Sequence, residues 1–385
     1  MKRLRVGVLF GGRSTEHEVS ILSAQSIIAA MDPQRFEAVP LYIDKEGRWL
    51  IGDSLKRLVS DEATRKYVYL PPDPTQHSLV AANGLSPSQS PSRLAEEGRG
   101  GGLPNLDVIF PVFHGLNGED GTIQGVLELA NIPYVGAGIL GSALGLDKIY
   151  MKRAFTAVGL PTVDYLPVTR REYERGPDAF ISRVEQRIGY PCFTKFANSG
   201  SSVGTTKAHN RAELVEGLRL AATFDRKLLV ERAVDARELE VSVLGNDEPE
   251  ASVVGEVVPA HEFYDYEAKY LDEGSKLLIP APIDDDLSDD VRSMAVRAFQ
   301  AVDAAGMARV DFFMERKSGR IFLNELNTIP GFTRISMYPK LWEASGLPYP
   351  KLIERLIELA IERFNDKQRS QTAIDSRLLE AAPGE

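Results

Sequence analysis

The 385-residue chain has a single cysteine, Cys192, so neither an intrachain disulfide nor a cysteine-built zinc site is open to it. It lacks any uninterrupted apolar run near the roughly 20 residues that a bilayer crossing needs. Arg5, Gly7 and Gly11-Gly12 also break the apolar N-terminal stretch where a signal-peptide core would lie. A cytoplasmic protein with no membrane partner is the expectation. Positive charge is in deficit: 45 Lys+Arg against 55 Asp+Glu leave a net charge of −10. That argues against a nucleic-acid surface, but not against a small anion held by a few local cations. No Gly-x-x-x-x-Gly-Lys-Ser/Thr occurs, so a P-loop is excluded, and a dinucleotide-binding scaffold is not expected either.

What is present reads as α/β, with a length suited to two or three domains. Val6–Phe10 is a short apolar run stopped by Gly11-Gly12, as a buried parallel strand meeting a turn would be. Helical spacing over 19–30 and a second strand over 37–43 continue an α/β unit, and Val108–Phe113 adds a strand before a helix over 123–129 capped by Asp120 or Thr122. The first domain is expected to span 1–143, with 71–105, rich in Pro, Ser and Gly, as a surface insertion. A small second domain over 144–231 begins with a helix that Gly159 and Pro161 end. The third, over 232–365, carries strands at 239–244, 251–257, 308–315 and 320–327, an amphipathic helix through Val291, Ala295, Ala298 and Phe299, and a closing helix. Residues 366–385 read as a flexible tail.

Chemistry concentrates in three places. A hairpin around Lys317-Ser318-Gly319, with Gly319 left-handed and Arg316 facing Arg320, sets Asp311 opposite Glu325 and Arg309 opposite Asn327. Alternation puts those four on one face and Val310, Phe312, Phe322 and Leu326 on the other. Two carboxylates and an amide suit Mg²⁺, although a surface hairpin with an Arg/Asp ion pair has the same pattern; the unusual extension Asn327–Thr333 favours the metal. The loop Asn198–Gly204, just past Lys195, is small and donor-rich enough to approach an anion, yet many such loops are only turns. The loop Gly11–Ser20 follows the first strand at the usual ligand crevice. Glu16 or Glu18 there either serves a ligand or favours a helix N-terminus, and His114 is either a ligand contact or a hydrogen-bonded loop histidine.

Taken together, the loop after Lys195, Leu229-Val230-Glu231, Arg309-Val310-Asp311 and Glu325–Gly331 resemble the ATP-grasp superfamily. Gly11–Ser20, His114-Gly115, Gly118–Gly121 and Glu267–Tyr270 further resemble the D-alanine:D-alanine ligase family within it, over about residues 5–364. The resemblance implies a three-domain ATP-grasp architecture: an N-terminal open parallel-sheet domain, with ATP held between central and C-terminal α+β domains. It implies ligation of two D-alanine molecules through a D-alanyl phosphate, for peptidoglycan precursor synthesis, by a homodimer with two Mg²⁺ or Mn²⁺ ions.

Roles carry over residue by residue. Lys148, Lys195, Ser202, Glu231, Arg232, Val234, Glu238, Phe313 and Asn324 match ATP contacts, and Asp311, Glu325 and Asn327 match the metal ligands. Glu16, Ser201 and Tyr270 match a hydrogen-bond network at the first D-alanine, while Arg309 and the Gly331 N–H match oxyanion donors. His114, Lys269, Ser336 and Leu341 match substrate-side positions. Val234 stands where leucine is frequent and Arg232 where lysine is. Two other readings are a D-alanine:D-lactate ligase on the same fold and a catalytically idle nucleotide-binding module. Tyr270 and the intact set of carboxylates plus Arg309 argue against them in turn.

Overall fold

The computed structural model describes residues 2–61, 65–82, 103–198, 200, 204–258, 276–333 and 335–371. The first sheet is built on β1 (Leu4–Gly11), whose Val6, Val8, Leu9 and Phe10 are wholly buried. It lies between β2 (Phe36–Ile43) and β6 (Val108–Val112), and both pairings are parallel. β3 (Trp49–Ile51), β4 (Lys66–Tyr69) and β5 (Val80–Ala81) continue the sheet beyond β2, all antiparallel. The expected open parallel sheet is therefore mixed, and the reason is connection length. The helix His17–Ala30 gives β1 and β2 the long crossover that parallel pairing needs, whereas the short link between β2 and β3 permits only a hairpin. The ends of the expected 71–105 insertion also belong to the sheet: β5 pairs there, Ser78 bridges to Asn105, and Leu79 is buried. Residues 83–102 lie outside the described residues.

The second sheet comprises β7 (Tyr165–Thr169), β8 (Cys192–Phe196), β9 (Thr206–Ala208) and β10 (Lys227–Arg232) in the order β7-β10-β8-β9, antiparallel throughout. Helices Pro177–Arg187 and Arg211–Phe224 supply Val184, Leu214 and Leu218 to a core completed by Cys192 and Val230.

The third sheet contains β11 (Ala236–Gly245), β12 (Glu250–Ala251), β13 (Gly255–Val258), β14 (Lys276–Leu278), β15 (Gly306–Glu315) and β16 (Ile321–Asn327). Its order is β14-β13-β11-β15-β16, with β12 also on β11. The strand expected over 251–257 is broken in two because the Ser252 hydroxyl accepts from Ser242 N, which interrupts the ladder. Beneath the sheet lies the helix Asp285–Ala301, capped by Asp284. Its Val291, Ala295, Ala298 and Phe299 meet Val243, Val310, Phe312, Leu323 and Leu326.

The closing helix, Tyr349–Lys367, crosses back to the first sheet: Leu352, Ile353, Leu356 and Ile357 share one core with Val6, Phe10, Phe110 and Phe332. The tail boundary expected at Asp366 falls inside this helix, because Lys367 pairs with Glu128 and Gln368 donates to Asn131 Oδ1 at 2.8 Å. Gly136-Ala137-Gly138-Ile139-Leu140-Gly141 does have dinucleotide-loop spacing, contrary to the expectation, but here the glycines let two units touch. A Cβ on Gly141 would stand 2.4 Å from Asp303 O. Among the described residues no helix is long and apolar enough to cross a membrane.

Phe299 is 1% exposed at the centre of the helix–sheet core. Phe299→Ala is expected to cost about 3–5 kcal/mol through lost burial and a residual cavity. Urea unfolding checks this as a lowered midpoint with an unchanged slope.

Candidate active site

One face of the third sheet carries the polar cluster. Arg309 pairs with Asn327 and Asp311 with Glu325, as alternation from the turn predicts. The route to that register differs from the expected one. Glu315 N donates to Arg320 O and Gly319 N to Glu315 O, so the loop is one residue longer than assumed, with Gly319 at φ +71°. A bulge at Asn324 absorbs the difference: Phe312 faces Leu323, while Asp311 faces Glu325. The bulge also corrects one face assignment. Leu323 joins the core, and Phe322 lies with the guanidinium groups of Arg232 and Arg320, 5.4 and 5.0 Å from its ring centre.

Carboxylates crowded on a sheet face require cations, and these come from the same sheet, from the helix Lys148–Ala157 and from the second sheet. Arg309 forms a two-point pair with Asp311, Nε–Oδ1 and Nη2–Oδ2 both 2.7 Å, and its Nε lies 3.0 Å from Glu240 Oε2. Asn327 Nδ2 donates to Asp311 Oδ2 at 3.1 Å. Lys148 Nζ is 2.6 Å from Glu325 Oε2. Lys148 is held there because Asp147 caps its helix, Lys148–Ala157, through Ile149 N and Tyr150 N. Lys195, on β8, pairs with the buried Glu231 at the end of β10.

These groups line one cavity of about 690 Å³ between the second and third sheets. Lys148, Lys195, Glu231, Arg232, Val234, Glu238, Phe313, Asn324, Asp311 and Glu325 all border it, so the structure brings together the expected nucleotide and metal residues that it describes, Asn327 joining through Asp311. The size is that of an ordinary small-ligand pocket. Ser201, Ser202, Lys269 and Tyr270 lie outside the described residues.

The unit of the first sheet approaches the cavity at Gly200, one of its lining residues. Glu16 is 5% exposed at the start of its helix without capping it, and a Cβ on Gly200 would stand 2.7 Å from Glu16 Oε2. Glu18 instead pairs with Lys45 at the surface, Oε1 2.6 Å from Nζ. His114 is buried; its Nδ1 donates to Ile329 O at 3.1 Å, and its Nε2 has no hydrogen-bond partner among the described residues. Burial pushes the imidazole below its usual value and keeps it neutral. Ser336 Oγ accepts from Thr333 N at 3.0 Å beside Gly331. Leu341 is wholly buried with Val257 and Met337, so it supports this segment by packing and presents no surface to a substrate.

Three residues were given no role in the sequence reading, although Glu119 lies within the motif Gly118–Gly121. Glu119 accepts from Gly115 N at 2.7 Å and from Ile329 N at 3.1 Å, which joins the His114 loop to the segment after β16; burial and the Glu16 charge raise its carboxyl to about 8. Glu240 is the second partner of Arg309, detectable from its place opposite Asp311. Lys152, 1% exposed, was signalled by a lysine at helical spacing between the buried Ile149 and Phe155.

Metal-ion fit follows from donor chemistry. Asp311, Glu325 and Asn327 offer hard oxygen donors, and the carboxylates are countered by Arg309 and Lys148, cations in the place of a metal's charge. No group of three His, Cys, Asp or Glu side chains among the described residues forms a metal site by itself.

A carboxylate-rich sheet face opposed by lysines across a nucleotide-sized cleft, between two antiparallel sheets, defines an ATP-grasp ligase fold. Family models described as D-ala D-ala ligase N-terminus and C-terminus match residues 5–137 and 154–358. The D-alanine--D-alanine ligase of Heliobacterium modesticaldum is 50% identical over 376 residues, 97% of this chain and 98% of that protein. The D-alanine-D-alanine ligase structure from Coxiella burnetii aligns with a TM-score of 0.82 at 33% identity, covering 96% of this chain and 97% of that one. The VanG D-Ala:D-Ser ligase from Enterococcus faecalis aligns with a TM-score of 0.80 at 31% identity, covering 93% and 100%. The chain belongs to the D-alanine–D-alanine ligase family and is an enzyme of it. Membership implies dependence on ATP and a divalent metal.

Burial raises the Glu231 carboxyl, but the ammonium groups of Lys152 and Lys195 overcome it and hold the group down at about 2, against an ordinary 4.5. A depressed carboxyl stabilises the fold above its unfolded value, and the contribution is lost as pH falls from there toward the folded one. Between pH 4.5 and 2 the wild type is expected to lose about 3 kcal/mol more unfolding free energy than Glu231→Gln. Urea titrations across that range check it; equal losses would contradict the pairing.

Proposed function

We propose that the chain joins two D-alanine molecules into D-alanyl-D-alanine at the expense of ATP, through a D-alanyl phosphate, for peptidoglycan precursor synthesis. The observation that carries this reading is the one cleft where Lys148, Lys195, Asp311 and Glu325 meet. ATP lies between the central unit, 144–231, and the C-terminal unit, 232–365.

An amine cannot displace oxide from a carboxylate, so the acid must first acquire a leaving group. Lys148 and Lys195 spread the charge of the γ-phosphoryl group as it moves to the carboxylate of the first D-alanine. Glu231, Arg232, Val234, Glu238, Phe313 and Asn324 hold the rest of the nucleotide, with Ser202 from the loop before β9. Two Mg²⁺ or Mn²⁺ ions, when held by Asp311, Glu325 and Asn327, supply positive charge at the phosphate oxygens.

Glu16 receives the ammonium group of the first D-alanine, within a network that includes Ser201 and Tyr270. The neutral His114 offers on the same side its Nε2, which has no hydrogen-bond partner among the described residues. The second D-alanine lies toward Lys269 and Ser336, with Leu341 packing below, and its amine attacks the acyl carbon. Arg309 and the Gly331 N–H receive the oxyanion. Arg309 suits the task because Asp311 and Glu240 fix its plane, leaving little to reorganise during the reaction. Phosphate leaves, and a closed site keeps water from the acyl phosphate. A homodimer belongs to the proposal, supported by the exposed Leu129, Ile139 and Leu140 on neighbouring helices.

Phosphate release with D-alanine as the sole amino acid tests the reading. Stoichiometric D-alanyl-D-alanine is expected; no release would overturn it. A strong preference for D-lactate at neutral pH, or for D-serine as in the structurally similar VanG ligase, would replace the second substrate. Arg309→Ala is expected to lower turnover about 10²–10³-fold with ATP binding retained. Rapid-quench turnover and ATP titration check it, and unchanged turnover would remove Arg309 from the chemistry.

A further inference from the structure

Lys152 stands one helical turn after Lys148 and is sealed from solvent, 1% exposed. An ammonium group is costly to bury unless it is paired, and a methionine would fill the same volume without that cost. Its Nζ lies 2.7 Å from Glu231 Oε1 and donates to Asn324 O at 3.3 Å. Glu231 is the penultimate residue of β10 in the second sheet, and Asn324 is the bulged residue of β16 in the third, so one ammonium group ties both walls of the cleft from behind. The other oxygen of Glu231 holds Lys195, whose side chain is 14% exposed and borders the cavity.

We propose that Lys152 is a positioning residue for the nucleotide: it compensates Glu231 from the rear, so that Lys195 can pass its ammonium group from Glu231 to a phosphate. The inference rests on the reading of the cleft as the ATP site. A phosphate that recruits Lys195 takes away one of the two ammonium partners of a buried carboxylate. With Lys152 in place the carboxylate keeps a partner in contact. Without it, binding would strand a buried charge, and Glu231 would retain Lys195 instead. The carbonyl of Asn324 gains from the same group, which holds the bulge next to Glu325.

The test uses the full chain as wild type, Lys152→Met, Lys195→Met and the double variant, with Mg-ADP binding by calorimetry and KM for each substrate. Lys152→Met is expected to weaken Mg-ADP and raise KM for ATP about 10–100-fold, while KM for D-alanine and kcat at saturating ATP stay within about threefold. In the Lys195→Met background, the second substitution should add less than about twofold, because no lysine remains to be released. A merely structural role would move both substrates together. Should Lys152→Met fold poorly, Lys152→Met/Glu231→Gln removes the charge that needs compensation, and it should bind Mg-ADP within about threefold of Glu231→Gln alone. Wild-type binding that Lys152→Met leaves unchanged, or losses that multiply in the Lys195→Met background, would overturn the inference alone. Failure of the wild type to bind Mg-ADP would overturn the ATP reading and this inference with it.

Discussion

Carboxylates gathered on one face of one sheet must be neutralised, and the organisation of the molecule follows from that constraint. Glu240 and Asp311 face each other across β11 and β15, and Glu325 faces Asp311 from β16. Mutual repulsion would pry this face apart if it were left to water alone. Arg309 compensates from within the sheet, while Lys148 comes from a helix 177 residues earlier in the chain. Lys195 and Lys152, with Glu231 between them, extend the charge lattice into the second sheet. The cleft thus has its walls held by ion pairs that a polyphosphate and its metal ions are chemically suited to exchange with. The arrangement is a cohesive element as well as the proposed binding site.

The union of the first sheet with the segment after β16 rests on backbone groups rather than on ion pairs. Ile329, just beyond β16, gives its carbonyl to His114 and its N–H to Glu119. Both partners belong to the loop after β6, and Glu119 also holds Gly115 N. The loop of the first sheet and the segment bearing Gly331 are therefore tied together. The shared core of the closing helix with the first sheet reinforces that union, since Leu352, Ile353 and Leu356 pack against the strands whose carboxyl ends carry Glu16 and His114. The groups proposed to hold substrate on one sheet and to react on another are kept in register by packing and by hydrogen bonds from Ile329 to His114 and Glu119 and from Phe332 to Ser23.

The hairpin of β15 and β16 illustrates how much was legible beforehand and how. Alternation alone placed Arg309, Asp311, Glu325 and Asn327 on one face, because a strand's period of two leaves no other choice once a register is set. The register was right at the site although the turn was one residue longer than assumed, since the bulge at Asn324 returned the strand to phase. Where the bulge had not yet acted, the same reasoning placed Phe322 on the wrong face. The mixed first sheet was missed for a similar reason: β3 to β5 are too short for a period to show, and their direction is set by link length. The continuation of the last helix through Asp366 depended on Glu128 and Asn131, partners that polarity near a chain end does not reveal.

The sequence by itself determined the longer elements, the face that Arg309, Asp311, Glu325 and Asn327 share, the scarcity of thiols and the motifs that tie the chain to its family. Those properties are local: periodicity, turn chemistry and residue type act over a few neighbours. Only the tertiary structure decided which cation meets which carboxylate. It set Lys148 on Glu325, Arg309 between Asp311 and Glu240, and Lys152 behind Glu231. An ion pair is a matter of ångströms in space, and separation along the chain carries no trace of it until three sheets have packed.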